Sequence, residues 1–170
     1  MHVLLLVSGG IAAYKIPQLI RQYSEEGSTV QVVLSKSAEK FVTSLSCEVV
    51  SGNPVLTADS FFNWKMPHLK ETRKADVLVV APASANMIAK FSHGFADDIV
   101  SASFLSFKGP RIICPAMHTE MFEQAVTQRN IQNLRHMGCV VLGPDYGDLA
   151  CGDLGLGRLV DLVGIVLGTC

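Results

Sequence analysis

The sequence has little charge and almost no imbalance of it. Only 17% of its residues are charged, and 14 basic against 15 acidic side chains leave a net charge of -1. No basic stripe is available for a nucleic acid, so that class of partner is set aside. No apolar run approaches the ~18 residues that a membrane span needs. The first apolar stretch is short and lacks a basic flank, so it is not a secretory signal. Five cysteines (Cys47, Cys114, Cys139, Cys151, Cys170) are scattered and odd in number, with no CxxC pair and no Cys/His cluster at zinc spacing. A disulfide framework and a metal centre are therefore not expected, and unpaired thiols fit a cytoplasmic, reducing setting.

Two nucleotide signatures are also missing. There is no GxGxxG and no Walker A loop. Nor does an acidic residue close the second apolar run, where a dinucleotide fold wants one for a ribose hydroxyl; that run ends Leu34-Ser35-Lys36-Ser37. Hydroxyls and a lysine suit a phosphate better than a ribose diol, which favours a mononucleotide such as FMN over NAD.

Apolar residues make up 49% of the 170-residue chain, with mean hydropathy +0.34. Two readings follow: a dense α/β core, or apolar surface buried between subunits. Strand-like runs are expected at His2–Val7, Thr29–Leu34, 77–81, 111–114 and 139–142. Between them, helical patterns cover 10–26, 37–50, 68–74, 83–93, 97–107 and 119–137, and a last helix is expected at 158–167. Continuous apolar strands alternating with helices predict one doubly wound parallel sheet covered on both faces. The loosest stretch, 57–67, carries Phe61, Phe62 and Trp64. It folds either on its own core or against a ligand or neighbouring subunit.

Prolines punctuate three strands, at Ala81-Pro82, Cys114-Pro115 and Gly143-Pro144. In open α/β sheets the ligand crevice lies at the carboxyl ends of the strands, so the segments around them are where chemistry belongs. "SGGIAAYK" follows the first strand: either a tight turn, or a glycine loop whose N–H groups meet an anion. "APASANMIAK" opens a helix with small residues: either an ordinary capped helix, or a seat for a flat ring with Ser84 and Asn86 facing it. "GDLACGDLGLGR" has four glycines in twelve residues and is expected to be a mobile flap or a ligand loop. Cys151 lies inside it, unlike a buried structural thiol. Arg158 at its foot either holds an anionic group or starts a solvated helix.

"SGGIAAYK", "APASANMIAKFSHGFADDIV", "PAMHTEM" and "LACGDLGLGRL", in this order, resemble the flavin-containing cysteine decarboxylase family, most closely its phosphopantothenoylcysteine decarboxylase branch. The resemblance covers nearly the whole chain. It implies a single FMN-binding decarboxylase domain over 1–170, flavodoxin-like, in homotrimers or dodecamers built from trimers, with the site at a subunit interface. It implies that Ser8, Gly9, Gly10 and Ile11, with Ser35 and Ser37, meet FMN at its phosphate, and that Ser84, Ala85, Asn86 and Ser101 line the flavin site. It implies His68 as an acid/base or orienting group, and His118, Met121 and Arg158 as substrate contacts. A carboxylate on an unactivated carbon cannot leave. The family oxidises the cysteine carbon to a thioaldehyde first, and CO2 loss then gives an ene-thiolate. Cys151 matches the proton donor for reduction of that ene-thiol, so the implied product is 4′-phosphopantetheine, in coenzyme A synthesis.

One departure stands out: the family's usual PAMN is PAMH here, so His118 replaces an asparagine that grips the substrate carboxylate. Other members act on a peptide C-terminal cysteine, prenylate flavin, or bind FMN as regulatory subunits without catalysis. Cys151 favours the small-molecule branch. Many bacterial relatives carry a phosphopantothenate–cysteine ligase on the same chain. None is visible before Cys170, so a separate or detached ligase is expected.

Overall fold

The computed structural model describes residues 1–61 and 66–169, the side chains of Pro67 and His68 excepted. Phe62 and Trp64 of the aromatic loop therefore lie outside the described residues, as does Cys170.

Five strands form one parallel sheet: β1 (His2–Val7), β2 (Thr29–Leu34), β3 (Val77–Ala83), β4 (Arg111–Pro115) and β5 (Val140–Val141). Their order is β2-β1-β3-β4-β5, the flavodoxin-like winding, with the topological switch at β1 and β3. Register runs His2↔Thr29 to Val7↔Leu34 on one side of β1 and Val3↔Val77 to Leu6↔Val80 on the other. Residues alternate between two cores because side chains alternate along a strand. Val3, Leu5 and Val7 enter one cluster with Ile16, Leu19 and Ile20; Leu4 and Leu6 enter the other with Ile88, Phe91 and Phe104.

The helices are α1 (Ile16–Glu25), α2 (Ser44–Ser51), α3 (Pro67–Lys74), α4 (Ala85–His93), α5 (Ile99–Ser106), α6 (Thr119–Glu123), α7 (Ala125–His136) and α8 (Leu162–Thr169). None is long and apolar enough to cross a membrane. Glycines close several of them. Gly52 and Gly94 stand at the C-caps of α2 and α4 with φ 68° and 72°, a region glycine occupies without a Cβ penalty.

The elements depart from the sequence expectation in five places. The first two helices begin with short 3-10 turns, Ile11–Lys15 and Ala38–Lys40, so α1 and α2 start later than their apolar patterns do. β3 continues past Pro82 to Ala83 across an irregularity in its pairing with β4. The pattern over 119–137 is broken into α6 and α7 at Gln124, whose ψ of 133° is extended. Gln128 Nε2 donates to the Phe122 carbonyl freed by that break, at 2.6 Å. The glycine-rich segment is neither flap nor loop but an antiparallel hairpin, β6 (Asp145–Asp148) with β7 (Leu154–Arg158). Arg158 thus ends a strand, and the last helix starts four residues later, at Leu162.

Candidate active site

The carboxyl ends of β1, β2, β3 and β4 converge on one edge of the sheet. Ser8 directly follows β1 and is buried. Its hydroxyl donates to the Pro82 carbonyl at 2.7 Å and accepts from the Ser84 N–H at 2.8 Å. That side chain braces the first loop against the β3–α4 turn, so its own hydrogen-bonding capacity is largely spent within the protein. Gly9 packs against Ser37, and a Cβ at Gly9 would collide with the Ser37 side chain. Nothing crowds Gly10, and Ile11 is exposed.

Ser35 Oγ lies 3.1 Å from Ser37 Oγ and accepts from the Ala38 N–H at 3.2 Å. Across from them, Ser84 caps α4, accepting from Met87 N–H at 3.4 Å, with Ala85 and the exposed Asn86 in the first turn. Between these walls is a cleft of ≈ 490 Å³ lined by Ser35, Lys36, Ser37, Lys40 and Asn86 and by the ion-paired group Lys90, Asp97 and Asp98, with Phe61, Met87 and Ile99 as apolar lining. Ser101 is fully buried nearby. It forms a capping box with Asp98: its hydroxyl accepts from Asp98 N–H at 3.1 Å, and its own N–H donates to Asp98 Oδ1 at 2.8 Å. Lys90 holds the same turn, donating to Asp97 at 2.7 Å and Asp98 at 2.6 Å.

A second group lies beyond the end of β4. Ala116 N–H donates to the Ala83 carbonyl at 3.1 Å, which keeps this segment on the same edge as Ser84. His118 follows and is the N-cap of α6, its Nδ1 accepting from the Glu120 N–H at 3.4 Å. With Nδ1 an acceptor, the neutral ring carries its proton on Nε2, which donates to Asp153 Oδ2 at 3.1 Å. The Cys151 thiol donates to that same oxygen at 3.3 Å. One carboxylate oxygen therefore joins the imidazole and the thiol, and the nitrogen, sulfur and oxygen atoms lie within 4.8 Å of one another. The hydrogen bond from His118 holds the Asp153 carboxyl below its usual range, and the thiol adds in the same direction.

The hairpin makes this meeting possible. Its turn closes with Leu149 N–H to Asp153 carbonyl at 2.8 Å and Gly152 N–H to Leu149 carbonyl at 3.0 Å. Gly152 takes φ 93° there, which a residue with a Cβ rarely adopts. The hairpin docks through the Gly157 carbonyl, which accepts from Met117 N–H at 3.0 Å. Gly155 lies against Thr119, whose Oγ1 is buried without a hydrogen-bond partner among the described residues.

Ser35, Ser37 and Asn86 line the cleft; Ser8, Ser84 and Ser101 hold its frame; His118 and Cys151 meet through Asp153. Met121 is exposed on α6. Arg158 pairs with Asp145 at the base of the hairpin, and its guanidinium reaches along the strand to lie over Gly147, in the half nearer the turn. His68 sits in the first turn of α3, and its side chain lies outside the described residues. Asp153 was not among the expected site residues. Its one signal in the sequence is a carboxylate two positions after a cysteine, across a glycine.

Comparison with known proteins is consistent over the chain. The profile of the family described as Flavoprotein matches residues 1–170. The coenzyme A biosynthesis bifunctional protein CoaBC of Escherichia coli K12 is 41% identical over 166 residues, 96% of this chain but 41% of that protein. The chain thus spans about two fifths of the length of the curated relatives it matches. A PPC decarboxylase mutant complexed with pantothenoylaminoethenethiol superposes with TM-score 0.87 at 30% identity, covering 98% of this chain and 94% of the other. The FMN binding protein AtHal3 gives TM-score 0.83 at 30% identity, over 98% and 93% of the two chains.

Proposed function

The chain belongs to the Flavoprotein family, and from that premise we propose that it is an FMN-dependent phosphopantothenoylcysteine decarboxylase yielding 4′-phosphopantetheine. The observation that carries the choice of reaction is the exposed Cys151 thiol, hydrogen-bonded on a hairpin turn beside His118.

The cleft suits FMN by its donor set. Two serine hydroxyls and two lysines at one end fit a phosphate, and Phe61, Met87 and Ile99 offer apolar contact for a flat ring. Ser35, Ser37, Lys36 and Lys40 would hold the phosphate, with the Gly9 and Gly10 backbone beside them; Asn86 would face the ring system. When bound, FMN supplies a two-electron acceptor and later returns the same two electrons. The protein's own part is position and protons. His118 Nε2–H donates to the substrate carboxylate, as the amide of an asparagine would. Cys151 delivers a proton to carbon in the last step, so the product is the saturated thiol rather than the ene-thiol. His68 acts near the substrate thiol, Met121 contacts the substrate from α6, and Arg158 at the hairpin base receives its anionic end.

The exposed apolar side chains Ile11, Tyr14, Leu45, Val49 and Phe95 support assembly as a homotrimer, or as a dodecamer of trimers, with the site at the interface. The ligase that makes the substrate resides on a longer form of this protein or on a separate chain. Unpaired thiols at Cys47, Cys114, Cys139 and Cys151 fit a cytoplasmic setting. The test is direct: purify the chain, look for bound yellow flavin, and add phosphopantothenoylcysteine. CO2 release with stoichiometric 4′-phosphopantetheine is expected. A flavin-loaded protein that releases no CO2 would falsify the reading.

A further inference from the structure

The same Nε2–H of His118 that would grip a substrate carboxylate is bound to Asp153 in the free protein. Asp153 Oδ2 in turn accepts from both His118 and Cys151. These two donors share one oxygen. When His118 is on Asp153, the carboxylate is shared and its hold on the thiol proton is divided. When a substrate carboxylate draws His118 away, Oδ2 is left to the thiol alone.

Resting on the proposed reaction, we propose that Asp153 is a positioning residue that holds the Cys151 thiol proton and senses, through His118, whether the substrate carboxylate is present. Before decarboxylation His118 is occupied by substrate, and Asp153 keeps the S–H in place. Loss of CO2 removes the carboxylate, His118 returns to Asp153, and the thiol proton is released to carbon. Proton delivery then follows CO2 loss instead of preceding it. The proton moves from Sγ to the carbon that carried the carboxylate, the neighbouring sulfur-bearing carbon gains a hydride equivalent that the reduced cofactor would supply, and Cys151 is reprotonated from solvent.

Among the described residues, the ionisable groups gathered at Cys151 are Asp153 and His118. Asp153 lies on its own turn and His118 comes from the start of α6. Asp148 ends β6 before the turn, and Glu120 stands in the first turn of α6. The Asp153 side chain is 68% exposed, so replacing it disturbs no core.

The test measures alkylation of Cys151 by iodoacetamide at neutral pH in the purified full chain, by peptide mass spectrometry. Only the thiolate reacts, so the rate reports how firmly the proton is held. Asp153→Ala is expected to react severalfold faster, because the carboxylate oxygen that accepts the thiol proton is gone. Asp153→Asn keeps an acceptor oxygen without the charge and should fall between. His118→Ala should react more slowly than the parent, because Oδ2 then serves the thiol alone. A purely structural role predicts faster reaction in both alanine variants, since each loosens the turn. Opposite signs support the proposal, and any other pattern overturns it. A second readout uses phosphopantothenoylcysteine: Asp153→Ala should release CO2 but leave a larger share of oxidised ene-thiol. If the unmodified chain releases no CO2, the reaction assigned above fails, while the alkylation series still decides the role of Asp153.

Discussion

The Gly157 carbonyl and the Met117 N–H, 3.0 Å apart, tie the hairpin to the loop that precedes α6. Strand β7 approaches so closely that a Cβ at Gly157 would meet the Met117 carbonyl, and backbone cannot yield as a flexible side chain can. Gly157→Ala is therefore expected to cost about 1–3 kcal/mol and to detach the hairpin. Chemical denaturation measures the loss. A melting curve identical to the parent's would show that the approach is looser than described.

Thr119 offers the opposite sign. Its Oγ1 is buried without a hydrogen-bond partner among the described residues. Thr119→Val keeps the shape and removes the unsatisfied hydroxyl, so stability should hold or rise by up to about 1 kcal/mol. A loss of that size in a thermal melt would mean the hydroxyl has a partner after all.

Ser8 links two strand ends with one hydroxyl, donating to Pro82 and accepting from Ser84. Ser8→Ala leaves both groups short of a partner at a buried position. A loss of about 1–3 kcal/mol is expected. Flavin retention should weaken too, because the first loop and the start of α4 are no longer braced. Titration of the apo-protein with FMN would read this, and unchanged affinity would count against the bracing role.

The cysteines should separate by burial. Desolvation pushes the Cys114 thiol up to about 12 and, with the nearby Glu48 charge adding, the Cys47 thiol up to about 11; burial raises Cys139 as well. Their thiolate forms are scarce near neutral pH, whereas Cys151 is exposed. Native labelling followed by peptide mapping should find Cys151 modified ahead of these three. Earlier modification of Cys114 would contradict its place in the core.

Lys90 sets a pH window. Burial disfavours its ammonium, but hydrogen bonds to Asp97 and Asp98 outweigh that and hold its proton above the ordinary 10.5. The bond from Lys90 also holds the Asp97 carboxyl below the ordinary 3.8. A lowered carboxyl stabilises the fold above its unfolded value and loses that contribution as pH falls through the folded value. A raised ammonium stabilises below its unfolded value and loses it as pH rises through the folded one. Lys90→Met should thus cost most on the plateau between them, about 1 kcal/mol because Asp97 is more than half exposed. The cost should shrink in strong acid. An equal loss near neutrality and in acid would refute the ionic origin.

The central sheet was legible because its strands are continuous apolar runs bounded by turn residues. β1 and β2 fall where the pattern places them, and Gly52 and Gly94 end helices as their position in the chain implies. The hairpin was not legible. Asp145–Asp148 has no apolar alternation, Leu154 and Leu156 alternate only with glycines, and cross-strand pairing with docking against Met117 and Thr119 holds them. The break at Gln124 was hidden because apolar periodicity runs on across it. His118 could be singled out from its place after Pro115. The structure adds what the sequence did not give: Nδ1 caps α6 while Nε2 reaches Asp153. Asp153 itself became visible only once the turn brought it under the imidazole.

Cys151 and Asp153 stand on the tip of a two-stranded hairpin rather than on the parallel sheet. Changes at that tip leave the cofactor cleft and the main core untouched. Under the proposed chemistry, the ending of the reaction can drift in evolution while its beginning stays fixed. A lineage that loses the tip's thiol would keep the oxidative half and acquire an unsaturated product without rebuilding the protein around it.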